Sequence, residues 1–289
     1  MRLPKASLAL LALATFAGAQ QTAPMLATGG ERSSAPQSYI GFDRNDYPGD
    51  GVLSTLRQHL SFTGYWLNNP PGERQNTWAG KREILLQNNF GFLVLFNGRL
   101  DTEILKTEKT GTSPNALGQR DAAAAVAAAQ REHFPPHTIL FLDQEEGGRL
   151  LPEQATYLFA WTEAVAKSGY RAGAYVSGQP VSEGPGQTIT TAQDIQAQVA
   201  AQHLHPISLF VYQDACPPSN GCTLHPPALS SSGIPDILVW QYAQSPRRPE
   251  TTRSCAKTYA ADGNCYLPDV PKVHLDLSVS SSSDPSHGR

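Results

Sequence analysis

Short apolar runs recur along the chain and alternate with stretches of helical spacing. Eight runs rich in β-branched and aromatic residues predict strands. The stretch at 119–134 is the strongest predicted helix, because it is rich in alanine, the best helix former. The predicted strands are 37–46, 62–69, 91–99, 137–146, 171–178, 207–215, 236–244 and 272–279, and the predicted helices are 82–89, 119–134, 151–170 and 191–204.

This alternation predicts an α/β fold in which helices cover a parallel sheet. Eight strands in a chain of 289 residues favour a (β/α)8 barrel of the TIM type. Helices between the late strands are hard to recognise, so we expect the barrel to be irregular there. An open doubly wound sheet is the alternative, although no G-x-G-x-x-G motif follows the first predicted strand.

The two ends of the chain differ in composition from the middle. Residues 1–19 combine two basic residues, a short apolar run and a small-residue cleavage site, as a secretory signal peptide does. Residues 20–36 are small and polar and predict a linker, and the serine-rich residues 281–289 predict a disordered tail. The domain at 37–280 is thus predicted to be secreted, either extracellular or periplasmic, without a membrane span. A buried N-terminal helix is the alternative for the first segment.

The four cysteines fall in the last third of the chain and suit an exported protein. Three pairings are open to them. We favour the local one, Cys216–Cys222 with Cys255–Cys265, because it closes two short loops. The spacings are wider than those of zinc-binding cysteine pairs, so neither a metal nor another cofactor is predicted.

The overall charge is close to balanced. Net charge is −3, and no basic stretch indicates a nucleic-acid partner. A hydrophobic fraction of 40% allows a sizeable core. We expect a monomer.

Carboxylates follow three of the predicted strands in the same phase. Asp43 ends the first strand, Asp143 and Glu145 end the fourth, and Asp276 lies on the eighth. With a side-chain period of two, all four point to the barrel interior, whereas Glu146 points away and is expected to be a surface or ion-pairing residue. Functional groups of such barrels lie at the carboxyl ends of the strands, so the sequence predicts an acidic cleft. Like charges there raise at least one pKa, as a general acid at neutral pH requires.

Acids at strand ends can also have purely structural roles. A single acid after a strand most often caps a helix or pairs with a cation, but the shared phase of three strands favours a functional role. A metal-dependent hydrolase using Asp43, Asp46 and His274 is less favoured, since no H-E-x-x-H motif occurs and His274 is expected in the core. No G-x-S-x-G motif indicates a serine nucleophile.

The motifs "GFD", "DQE", "AYVSG", "VWQY" and "HLDLS", in this order, resemble glycoside hydrolase family 25, the Chalaropsis-type lysozymes, which cleave the glycan of peptidoglycan. The stretches "GFDRNDYPGD" and "GFLVLFNGR" are more similar to secreted bacterial glycoside-hydrolase-like domains of the DUF1906 type. The resemblance extends from Tyr39 to Val279. Arg44 and Asn45 stand where family 25 has small or apolar residues, which bears on the class of substrate.

The resemblance implies a secreted glycosidase acting on a cell-wall or related polysaccharide. It makes Glu145 the general acid that protonates the glycosidic oxygen, and Asp143 the partner that orients an N-acetyl group or activates water. A barrel of the same fold that binds glycan without cleaving it is the alternative. Strand spacing fits both the retaining and the inverting geometry, so the stereochemical outcome does not follow. Asp43 and Asp276 are implied to shape the site around the sugar. The candidates for stacking on sugar or hydrogen bonding to it, each of which could equally belong to the core or the wall, are Tyr175, Trp240, Gln241 and Tyr242.

Overall fold

A computed structural model describes residues 37–289, and the predicted signal peptide and linker lie outside them. Eight strands close into a barrel, which confirms the predicted TIM-type architecture. Two small two-stranded hairpins lie outside the barrel. The strands are β1 (Tyr39–Asp43), β2 (Phe62–Trp66), β3 (Gly91–Asn97), β4 (Ile139–Asp143), β5 (Arg171–Ser177), β6 (Val181–Gly184), β7 (Gln187–Ile189), β8 (Ser208–Tyr212), β9 (Val239–Ala243), β10 (Tyr266–Leu267), β11 (Val270–His274) and β12 (Asp276–Ser280).

The α-helices all precede β8 in the described part of the chain. After β8 only 3₁₀ turns occur, at Leu229–Ser232 and Arg253–Thr258, so the predicted irregularity of the late helices is present. None of the helices within residues 37–289 combines the length and the apolar character needed to cross a membrane. The helices are α1 (Leu53–His59), α2 (Arg82–Gln87), α3 (Asp101–Lys109), α4 (Pro114–Arg131), α5 (Pro152–Lys167) and α6 (Thr191–Gln202).

The last strand runs against its neighbours, which corrects the prediction of a fully parallel barrel. β12 pairs antiparallel with both β1 and β9. After β9 the chain forms the β10–β11 hairpin before it enters β12, without a helix to return it to the opposite end of the barrel. Asp276 is therefore the first residue of its strand, and it lies directly opposite Asp43 at the end of β1.

Aromatic side chains fill the barrel interior below the mouth. Two glycines make room for them: a Cβ on Gly41 would stand 2.2 Å from the Phe62 ring, and one on Gly173 would stand 2.5 Å from the Phe141 ring. Phe141 in turn meets Phe210 edge to face at 6.1 Å between ring centroids. This packed interior supports the residues at the strand ends above it.

The C-terminal residues pack against the barrel, in contrast to the predicted disordered tail. The Ser286 carbonyl accepts from the backbone NH of Ile139 at 2.8 Å, and its own NH donates to the Phe92 carbonyl at 2.9 Å. The Ser286 hydroxyl accepts from the NH of Val94 at 2.8 Å. Serine-rich composition predicts disorder because it offers little apolar burial, but here backbone hydrogen bonds to two strands hold the segment.

The disulfides connect Cys216 with Cys255 and Cys222 with Cys265, so the predicted local pairing is wrong. The Cα atoms of the two pairs are 5.9 and 5.5 Å apart. The two bridges interlace and join the segment after β8 to the segment after β9. Sequence proximity was misleading because these two segments lie side by side in the fold.

Candidate active site

Four carboxyl groups from three strands line one cleft at the mouth of the barrel. Asp43, Asp143, Glu145 and Asp276 border a cavity of about 330 Å³. The structure thus brings together the acids that share an inward phase in the sequence. The remaining lining residues are Arg44, Asn45, Asp46, Trp66, Pro71, Glu73, Leu95, Tyr175, Phe210, Gln244, Ser245 and His274.

Asp43 ends β1 and is almost fully buried. Gly64 on the neighbouring strand leaves the space for it, since a Cβ there would stand 2.6 Å from the Asp43 Cβ. Burial raises the pKa of Asp43 to about 7, with a hydrogen bond from Gln241 opposing the shift and the charge of Glu145 adding to it. Asp43 therefore exchanges its proton near neutral pH.

The amide of Gln241 orients Asp43. Its Nε2 donates to both carboxyl oxygens of Asp43 at 3.2 Å. Its Oε1 accepts from the Tyr175 hydroxyl at 2.7 Å and from Gln244 Nε2 at 2.9 Å. Two donors on the carbonyl end turn the NH₂ group toward Asp43. Gln241 and Tyr175 thus form one network with Asp43, and Gln244, which the strand patterns did not indicate, completes it.

Trp240 and Tyr242 lie outside the cleft, which corrects their predicted contact with sugar. Both are fully buried. Trp240 Nε1 donates to the Gln213 carbonyl and the Tyr242 hydroxyl to the Thr223 carbonyl, each at 2.8 Å. Because side chains alternate along β9, the residues on either side of inward-facing Gln241 must face outward.

Asp143 ends β4 deep in the cleft and is only 5% exposed. Its Oδ1 is buried and has no hydrogen-bond partner within residues 37–289. Burial raises its pKa well above the usual range, and the nearby charges of Glu145 and Asp43 raise it further. These surroundings favour the protonated, neutral form of Asp143.

Glu145 lies two residues beyond the end of β4, with its side chain at the exposed rim. The Tyr212 hydroxyl donates to the Glu145 carbonyl at 2.8 Å and anchors this part of the backbone. The cleft walls displace water from the carboxyl and raise its pKa, while the positive charge of Arg248 lowers it. Glu145 is therefore the most accessible of the four acids, and the charge of Arg248 acts on it.

Arg248 approaches the cleft from the segment after β9, and no strand pattern could have revealed it. Its guanidinium pairs with the buried Asp214, with Nε at 3.0 Å from Oδ2. It also lies 4.9 Å from the centre of the Tyr212 ring. Asp214 precedes Cys216, so the disulfide-linked segments bring both members of this pair to the mouth.

Asp276 faces Asp43 from the first position of β12. Its Oδ1 accepts from the backbone NH of Ser245 at 2.6 Å. Burial and the charge of Asp43 raise its pKa well above the usual range, and the Ser245 hydrogen bond opposes the shift. A negative charge on Asp43 therefore disfavours ionisation of Asp276.

Basic groups also line the cleft. His274 ends β11 and is half-buried at the rim, so the expectation that it lies in the core is wrong. Partial burial and the charge of Arg44 lower the pKa of His274, which favours the neutral imidazole. Arg44 and Asn45, which depart from the family 25 pattern, both line the same cavity.

Glu146 turns away from the cleft, as its phase predicted, but it is neither a surface nor an ion-pairing residue. Its two carboxylate oxygens accept from the NH of Asp101 at 3.1 and 3.0 Å, and it also accepts from Gln154 Nε2. Glu146 therefore caps α3 and joins it to α5. Its negative charge at the start of α3 also suits the helix dipole.

Groups of three or more histidine, cysteine or acidic residues arranged to hold a metal ion do not occur within residues 37–289. Asp43, Asp46 and His274, the ligands of the less favoured metal-dependent hydrolase, all line the cleft without forming such a group.

The sequence profile of the Rv2525c-like, glycoside hydrolase-like domain matches residues 69–215, more than half of the chain. No curated protein sequence matches significantly. Among solved structures, an uncharacterized protein from B. stearothermophilus has 18% identity and a TM-score of 0.51, with 84% of this chain and 95% of that one covered. This likeness shows the fold.

Two further solved structures are similar over comparable lengths. The catalytic domain of endolysin ply40 from bacteriophage P40 of Listeria monocytogenes has 13% identity and a TM-score of 0.48, covering 89% of this chain and 100% of that one. The Tat-secreted protein Rv2525c of Mycobacterium tuberculosis has 11% identity and a TM-score of 0.47. The match covers 84% of this chain and 95% of that one.

Proposed function

Because the chain belongs to the Rv2525c-like family of glycoside hydrolase-like domains, we propose that it binds a cell-wall or related polysaccharide across the barrel mouth and hydrolyses a glycosidic bond there. One observation carries this proposal: Asp43, Asp143, Glu145 and Asp276 converge in a single cleft. Most glycoside hydrolases use a pair of carboxyl groups that flank the scissile bond. The matched region contains Asp143 and Glu145.

In this proposal Glu145 is the general acid. It protonates the glycosidic oxygen as the bond to the anomeric carbon breaks, and the positive charge that develops on the sugar is stabilised by the ionised member of the Asp43–Asp276 pair. Its exposed side chain can reach a bound polysaccharide, and the upward shift of its pKa favours the protonated form that the step consumes. Water then adds to the anomeric carbon and a proton returns to the enzyme.

Asp143 is the alternative candidate for the general acid, because its surroundings favour the protonated form. Its burial and neighbouring charges favour its protonated form more strongly, and the acid of a catalytic pair is often the group in the more apolar surroundings. Accessibility favours Glu145, since Asp143 is only 5% exposed. Asp143 then acts as the partner whose free Oδ1 orients an N-acetyl group or the attacking water.

Asp43 and Asp276 shape the site around the reacting sugar. Gln241 holds Asp43, and the Ser245 NH holds Asp276, so neither carboxyl needs to reorganise when charge develops. Tyr175 lies at the wall of the same cleft and orients Gln241.

The site of action is outside the cytoplasm in this proposal. Two disulfides within the described residues suit an oxidising compartment. The signal-peptide pattern of residues 1–19 points to the same compartment.

The direct test is incubation of the purified protein with peptidoglycan and with a panel of polysaccharides, followed by measurement of new reducing ends. Hydrolysis of any of them supports the proposal. Binding without new reducing ends across the range from mildly acidic to mildly basic pH would leave the glycan-binding barrel as the function.

A further inference from the structure

Arg44 differs from the other arginines that are partly buried. Its side chain forms no hydrogen bond or ion pair within residues 37–289, although its Nε is enclosed by protein. The remaining partly buried arginines of this range all donate hydrogen bonds from their side chains; they are Arg57, Arg82, Arg99, Arg247 and Arg248. A guanidinium that loses water without gaining a partner is unfavourable, so a ligand that supplies acceptors is favoured beside Arg44.

The backbone holds Arg44 at the wall of the cleft. Arg44 directly follows Asp43 at the end of β1, and Trp66 Nε1 donates to its carbonyl at 3.1 Å. Arg44 lines the cavity of about 330 Å³ that the four acids border. Its two terminal nitrogens also lack a partner in the described part of the chain, but unlike Nε they retain accessible surface. A ligand bound in the cleft can therefore reach them.

The acids of the cleft leave the charge of Arg44 available. Burial lowers the pKa of Arg44 and the charges of Asp46 and Asp276 oppose that shift, yet neither acid forms an ion pair with it among the described residues. Burial raises the pKa of three inner carboxyls, those of Asp43, Asp143 and Asp276. At mildly acidic pH these carboxyls favour the neutral form and repel an anion little, whereas the guanidinium stays charged.

We propose that Arg44 determines specificity by binding the carboxylate of a uronic acid unit in the cleft. A guanidinium presents parallel NH donors that match the two oxygens of a carboxylate, and such charge-assisted bonds are roughly twice as strong as neutral ones. A uronic acid carries its carboxylate on the sugar ring, within reach of Arg44 when the ring lies against Asp43 and Asp276. This inference rests on the proposed glycan function and narrows it to acidic polysaccharides.

The test is calorimetric binding, at mildly acidic pH, of trimers of glucuronic, galacturonic and mannuronic acid, each paired with its uncharged methyl ester. For at least one pair the wild type should bind the acid about tenfold more tightly than the ester, equivalent to about 1.4 kcal/mol. Arg44→Met removes the charge, so it should bind both forms equally and melt at an unchanged or higher temperature. Arg44→Lys keeps the charge without the parallel donors and should show a smaller preference for the acid.

Arg171→Met is the matched control, because the exposed Arg171 begins β5 at the end of the barrel opposite the cleft. It should keep the wild-type preference for the acid. A wild type that prefers none of the acids to its ester would overturn the inference, and so would a preference that Arg44→Met retains in full. Neither result decides the proposed function, which the release of reducing ends from any polysaccharide tests separately.

Discussion

Asp43 and Asp276 lie directly opposite each other on the antiparallel strands β1 and β12. Like charges in this position repel, and burial leaves little water to screen them. The barrel tolerates the pair because Gln241 donates to one carboxyl and the Ser245 NH to the other. The reversed direction of β12 thus brings Asp276 to the mouth, beside Asp43.

The first prediction concerns stability and pH. The pKa of Asp43 is raised to about 7 in the fold, against about 3.9 in an unfolded chain. Between these values the folded state binds more protons than the unfolded state, so the free energy of unfolding should fall as pH rises from about 4 to about 7. Asp43→Asn should make the free energy of unfolding depend less on pH, and should raise it by roughly 1–3 kcal/mol at about pH 8.

Urea denaturation across the same pH range measures this dependence. Glu108→Gln, an exposed substitution on α3, should leave the shape of the curve unchanged. If Asp43→Asn followed the wild-type curve at every pH, Asp43 would not hold its proton in the fold.

The second prediction concerns the disulfides. Non-reducing peptide mapping should recover Cys216 with Cys255 and Cys222 with Cys265. Replacing both Cys222 and Cys265 by serine should lower the free energy of unfolding by roughly 2–4 kcal/mol, since the bridge spans 43 residues. Recovery of a Cys216–Cys222 peptide would contradict the interlaced pairing.

The third prediction concerns the C-terminal segment. Ser286→Ala removes the hydroxyl that accepts from the buried NH of Val94, and should lower the free energy of unfolding by roughly 1–3 kcal/mol. Deletion of residues 281–289 should lower the free energy of unfolding further, because it also removes two backbone hydrogen bonds to strand residues. Thermal denaturation measures both, with the exposed Ser281→Ala as control. A deletion variant as stable as the wild type would show that the segment adds nothing to the fold.

The sequence predicted the barrel strands well, because each is an apolar run bounded by polar residues, and the phase of each run indicated which acids face inward. It could not reveal the direction of β12, since a strand has the same period in either direction. On β9 the family resemblance implied sugar contacts for Trp240, Gln241 and Tyr242. Side chains alternate along a strand, however, so only Gln241 faces the cleft.

The parts of the site that escaped prediction lie in irregular segments. Arg248, Gln244 and Ser245 all follow β9, and His274 ends a hairpin outside the barrel. Their positions depend on the interlaced disulfides and on contacts between segments far apart in sequence, for which no local period exists.

The most direct test of the account is the turnover of Glu145→Gln on a polysaccharide that the wild type cleaves. The variant keeps the shape of the side chain and deletes the transferable proton, so turnover should fall roughly 10²–10⁴-fold. Glu146→Gln is the matched control and should stay near wild-type turnover, because Glu146 faces away from the cleft. An aryl glycoside with a good leaving group, which needs little protonation, should recover most of the activity of Glu145→Gln but not that of Asp143→Asn. Recovery by Asp143→Asn alone would make Asp143 the acid, and wild-type turnover by Glu145→Gln would contradict the account.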